Sequence, residues 1–174
     1  MIDVPVGGRA SLRPATPDDL TGIDALVRQA SDVFGFVPKV VLARAIDEGK
    51  VLVLTAGDGR LIGAIRFHHR RDGVTTIHEV VVAADARKDG VGRTLVQAVH
   101  DAALARGQQS LRAKCPIDAL ANGFYRATGW ERVAIEDGRV RELVVWRLPV
   151  RPPARPRTRP TFYLSLTGEA GGIR

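Results

Sequence analysis

One stretch limits the folds open to this chain more than any other. His78-Glu79-Val80-Val81-Val82 runs into Ala83-Ala84-Asp85-Ala86-Arg87-Lys88-Asp89-Gly90-Val91-Gly92-Arg93. Three consecutive valines suit a buried, pleated strand. Gly90 and Gly92 permit backbone torsions closed to other residues and let a ligand approach the main chain. From Thr94 to Arg106 the apolar residues repeat at helical spacing. A strand, a glycine loop and a helix in that order present unpaired N–H groups at the positive end of a helix dipole. Such a place holds anions, most often phosphate.

With 174 residues, 45% of them hydrophobic, the chain can bury one domain's core. Two parts are expected, a folded domain over residues 1–148 and an Arg/Pro-rich arm over 149–174. No apolar run approaches the roughly 18–20 residues of a membrane span, and Met1 to Arg13 lacks a signal peptide's apolar core. The single cysteine, Cys115, excludes an internal disulfide framework and a cysteine-based zinc site. These features favour the cytoplasm, and no metal is expected. The net charge is +7, and from Pro149 onward there are five arginines against one acid. That arm keeps nucleic acid open as a partner.

The elements follow in order. Ser11 to Ala15 reads as a strand, and Thr16-Pro17-Asp18-Asp19 as a capped helix start. Leu20, Ile23, Leu26, Val27 and Ala30 trace one helical face, and Pro38 opens a second helix that Gly49 closes. Val51–Leu54, Arg60–His69 and Val74–Val82 form a three-stranded meander around Gly57-Asp58-Gly59 and Arg71-Asp72-Gly73. Ser110 to Lys114 is a strand lying parallel to the Val80 strand, because a helix crosses between them. A helix over 119–128, capped by Asp118, precedes a hairpin of 130–135 and 139–148. The order β-α-α-β-β-β-α-β-α-β-β is an α/β fold: a mixed, mostly antiparallel sheet of six to seven strands with helices on both faces. Thr161 to Leu166 could add an edge strand. Arg151 to Pro160 reads as an extended, polyproline-like arm.

This order, with Arg87-x-x-Gly90-x-Gly92 between the fourth strand and the third helix, resembles the GNAT superfamily of acyl-CoA-dependent N-acyltransferases. Asn122-x-Phe124-Tyr125-x-x-x-Gly129-Trp130 is similar to that family's asparagine and tyrosine motif, with Trp in place of the usual Phe. The resemblance covers about residues 10–148. A Walker phosphate loop is absent, and a meander before the loop excludes a dinucleotide-binding βαβ unit.

The resemblance implies acetyl-CoA as cosubstrate. Backbone N–H groups of Lys88, Asp89, Gly90, Val91, Gly92 and Arg93 would hold its pyrophosphate, with charge from Arg87, Lys88 and Arg93. Val80, Val81 and Val82 would pair with the pantetheine arm where the strand splays from its parallel neighbour. Asn122 would hydrogen-bond that arm or support its own helix start.

An amine must lose a proton to be acylated. Glu79, a carboxylate in an apolar strand with Ile77 and Val81 as alternation partners, is the expected base. An ion pair with a neighbouring arginine is the structural alternative. His78 points the other way on strict alternation and is the second candidate; His68 or His69 could also face the site. Tyr125 matches the family tyrosine that protonates the leaving thiolate. Cys115 could form an acyl intermediate but has no histidine neighbour in sequence. Phe34, Phe36 and Pro38 would border the acceptor.

The expected function is direct transfer of an acetyl group from acetyl-CoA to a small-molecule or peptide amine. The competing class is a nucleic-acid-associated protein that uses the basic arm to acylate or bind a nucleic-acid-linked amine. A homodimer arm is the other expectation for residues 149–174.

Overall fold

A strand buried on both faces needs apolar residues in an unbroken run, and this chain has several. They form one sheet in the computed structural model, which describes residues 10–152. The strands are β1 (Ser11–Pro14), β2 (Val51–Thr55), β3 (Leu61–His69), β4 (Val74–Val82), β5 (Ser110–Pro116), β6 (Glu131–Glu136) and β7 (Leu143–Pro149). The helices are α1 (Leu20–Arg28), α2 (Ser31–Phe34), α3 (Lys39–Asp47), α4 (Val91–Ala105) and α5 (Ala121–Ala127). The seven-stranded sheet has the order β1-β2-β3-β4-β5-β7-β6. Every pairing is antiparallel except β4 with β5.

In β3 the consecutive residues Ile62, Gly63, Ala64 and Ile65 are all buried, so both faces are covered. The helices packed on β3 are α1 and α4. They therefore lie on opposite faces, with α3 packed on α1. Gly63 sets how closely α4 can approach. A Cβ there would stand 2.7 Å from Val91 Cγ1 and 3.0 Å from Leu95 Cδ1. Leu95, Val99 and Ala103 are fully buried from α4, as are Val53, Leu54, Ile65, Leu111 and Val145 from the sheet. Each such large side chain stabilises the fold by about 1.5–3 kcal/mol.

Two irregularities at one place shape the site. First, β4 pairs with β5 only from Val74↔Ser110 to Ile77↔Ala113. Beyond that β5 stays with β7 as far as Pro116, while β4 runs on to Val82. Second, β3 and β4 shift register between Arg66↔Glu79 and Phe67↔Ile77, leaving His78 as one extra residue. A bulge of this kind bends its strand and sharpens the twist. The bend falls where the two parallel strands part.

Several boundaries differ from the sequence reading. An extra short helix, α2, follows α1. The helix expected from Ala119 starts at Ala121. Asp118 does not cap it, because its carboxylate pairs with Arg141 at 3.1 Å. β7 begins at Leu143 rather than Arg139, the intervening loop being closed by Gly138 N–H donating to Arg141 O at 3.1 Å. The arm from Pro153 onward, including the strand expected at 161–166, lies outside the described residues.

Candidate active site

Where β4 and β5 part, the β5-facing edge of β4 from His78 to Val82 has no strand beside it. An extended ligand carrying amides can pair with such an edge as an added strand does. This is where Val80, Val81 and Val82 stand.

At the upper end of the gap is the glycine loop. Lys88 (φ 73°) and Gly90 (φ 83°) are both left-handed. Among the described residues no hydrogen-bond acceptor meets the backbone N–H groups of Lys88, Asp89, Gly90, Val91, Gly92 or Arg93. The first helical bond runs from Thr94 N–H to Gly90 O. A run of free N–H groups at the start of a 15-residue helix makes a concave anion seat. Val91 can offer only its main chain, since its side chain is buried in the core. Arg87, Lys88, Asp89, Gly90 and Arg93 are exposed. Arg87 Nε also donates to Val82 O at 3.3 Å, which takes one carbonyl of the expected pairing edge and sets the guanidinium at its mouth. Phe124 of α5 leans over the first turn of α4: a Cβ on Gly92 would lie 3.5 Å from its ring and 3.7 Å from Val82. From Arg93 a groove of about 280 Å³ continues between α4 and α5, past Gln97, His100, Thr128 and Trp130.

At the lower end stands Glu79. It is buried, and both carboxylate oxygens accept from Arg66, from Nε at 2.5 Å and Nη2 at 2.6 Å. Opposed residues share a face, so Glu79 lies with Arg66, and Val81 with Ala64, on one side of the sheet. Ile77, opposed to Phe67, lies on the other. Strict alternation, which would group Ile77 with Glu79, fails at the bulge. The extra residue, His78, is exposed and senses the charges of Arg66, Glu79 and His68. Lost hydration and the positive charges of Arg66, His68 and Lys50 hold His78 below the ordinary imidazole value, while Glu79 pulls the other way. His69 is turned elsewhere, with Nδ1 2.8 Å from Thr75 Oγ1.

Tyr125 stacks on Trp146, which is opposed to Ala113, the last β5 residue paired with β4. Its ring is buried, edge-on to Phe124 and Trp130 and stacked on Trp146 at 5.6 Å. Its hydroxyl has no hydrogen-bond partner among the described residues. Burial, reinforced by Cys115, pushes the phenol well above its ordinary range, so it remains a proton donor. Asn122 is fully engaged by the protein. Its Oδ1 accepts from Trp146 Nε1 at 2.9 Å, and its Nδ2 donates to the carbonyls of Pro116, Ala119 and Ile117 at 2.8, 3.0 and 3.1 Å. Of the two roles expected for Asn122, the structure displays support of the helix start.

Cys115 is buried, and burial with the nearby Asp118 pushes its thiol up to about 11. The nucleophilic thiolate is then scarce at neutral pH. Iodoacetamide is expected to label Cys115 slowly at pH 7 and faster as the pH rises towards 11. Cys115→Ala should leave turnover within about twofold; loss of activity with retained folding would restore a nucleophile role.

Arg66 is the residue that sequence reasoning did not place by number. Its signal was faint: it sits across the Arg71-Asp72-Gly73 turn from the acidic strand residue.

The family model for the acetyltransferase (GNAT) family matches residues 24–130, more than half of the chain. The chain therefore belongs to the GNAT family and is an acetyltransferase. No curated protein matches the sequence. Solved structures share the fold at low identity. A putative GNAT-family acetyltransferase from Desulfovibrio desulfuricans is 20% identical at a TM-score of 0.70, over 82% of this chain and 100% of that one. The ribosomal-protein-S18-alanine N-acetyltransferase of Escherichia coli is 16% identical at 0.68, over 84% and 97%. N-acetylglutamate synthase from Neisseria gonorrhoeae, solved with coenzyme A and N-acetyl-glutamate, is 18% identical at 0.72, over 83% and 36%. No helix among the described residues is long and apolar enough to cross a membrane.

Proposed function

We propose that the protein transfers an acetyl group from acetyl-CoA directly to an amine. The single observation that carries this is the parted β4–β5 edge, which runs from the bulge at His78 to a run of free N–H groups at the glycine loop. The pyrophosphate would sit on residues 88–93, with charge from Arg87, Lys88 and Arg93. The pantetheine amides would pair along Val80 to Val82, and the groove from Arg93 would take the nucleotide end. The thioester would then lie at the bulge. The neutral amine attacks the thioester carbon, the C–N bond forms and the C–S bond breaks. Tyr125 gives its proton to the departing thiolate. The proton left on nitrogen passes to the bulge, where Glu79, the base expected from sequence, stands beside His78. Glu79 is held there by Arg66.

The test is thiol release from acetyl-CoA against a panel of amino acids, peptide N-termini and small polyamines. Amine-dependent release with at least one class is expected, along with calorimetric binding of CoA. No CoA binding and no release with any amine would sink the reading. The related structures named above motivate the peptide and amino-acid members of the panel, one by a protein acceptor and one by an amino-acid product.

A further inference from the structure

We infer that His78, not Glu79, takes the amine's proton, and that the Arg66–Glu79 pair is the positioning element that holds the bulge open for it. This rests on the acetyl-transfer reading and refines it.

Three observations carry the inference. Both oxygens of Glu79 accept from Arg66 at 2.5 and 2.6 Å, so both are already engaged by the guanidinium of β3. His78 is the unpaired residue of the bulge, exposed, at the first position of β4 beyond its pairing with β5. It thus stands at the bend where the thioester would lie, whereas Glu79 is buried against β3. The charged groups around His78 come from each neighbouring strand: Arg66 and His68 from β3, Glu79 from β4 and Lys50 ahead of β2. Lost hydration first, and then the balance of these charges, hold the imidazole below its ordinary value and favour the neutral form, which can accept.

The step balances without further reagents. The amine nitrogen bonds to the acetyl carbon and carries one excess proton. That proton moves to the free ring nitrogen of His78, giving imidazolium. The C–S electron pair leaves with sulfur, which takes the Tyr125 proton. Solvent then returns a proton to Tyr125 and removes one from His78.

The experiment is the pH profile of kcat, by thiol release with the best amine of the panel, for wild type, His78→Gln, Glu79→Gln and Arg66→Lys. Acetyl-CoA binding to each is measured calorimetrically. The wild-type rate should rise with pH through a limb below the ordinary imidazole value of about 6.5. His78→Gln should lose that limb and about 10²-fold in kcat, with acetyl-CoA affinity kept. In His78→Ala, added imidazole should restore part of the rate. Glu79→Gln and Arg66→Lys should keep the limb and shift its midpoint. If His78→Gln keeps the limb and Glu79→Gln erases it, Glu79 is the acceptor and the inference is overturned. If no variant and no wild type binds acetyl-CoA, the transfer reading falls and this inference with it.

Discussion

Tyr125→Phe should lower kcat by about 10²-fold or more while leaving CoA affinity nearly unchanged. The ring is fixed by Phe124, Trp130 and Trp146, so phenylalanine fills the same space and the fold should hold. Only the hydroxyl goes, and it has no structural hydrogen bond among the described residues to lose. The effect should therefore fall on turnover alone. It should also depend on the leaving group: an acyl donor whose thiol is more acidic needs less help and should show a smaller deficit. Single-turnover kinetics on the variant checks this. A loss in CoA affinity equal to the loss in kcat would show that Tyr125 packs the cofactor rather than protonating it.

Asn122→Ala should cost about 3 kcal/mol of stability, which is about 6–12 °C in Tm for a chain of this size. The substitution strands the Trp146 indole N–H and removes the donor shared by Pro116, Ile117 and Ala119 carbonyls. Trp146 is buried in β7, so water cannot replace what is lost there. A thermal melt reads the shift. CoA affinity measured well below the melt then decides between the two roles expected of Asn122. Unchanged affinity fixes it as an internal tie; a tenfold weakening would make it a ligand to the pantetheine arm.

Much of the fold was readable before any coordinates. The valine run, the two tight turns and the helical spacing after Gly92 each pointed to one element, and all three elements form. The loop's free N–H groups were equally legible, because a glycine-rich entry to a helix leaves them no partner. Reading failed where one residue decides the outcome. With His69 opposite Thr75, an unbroken hairpin would put Arg66 opposite His78. The bulge moves it to Glu79, and nothing in His78-Glu79-Val80 announces a bulge. Alternation was therefore a sound rule applied across a place where it breaks, and which arginine pairs with Glu79 was hidden together with the facing of Glu79. Asp118 failed differently. Local capping chemistry lost to Arg141, which is distant in sequence and so invisible to a local rule.

The short seam between β4 and β5 has a mechanical consequence. Four residue pairs, Val74–Ile77 against Ser110–Ala113, join a four-stranded half-sheet to a three-stranded one. The seam is a zip closed part of the way. A ligand laid along the open part would supply missing rungs, and its occupancy would then couple the two halves more tightly. Local opening, followed by hydrogen exchange, would then begin at the seam's end, and cosubstrate would be a structural member of the sheet as well as a reactant.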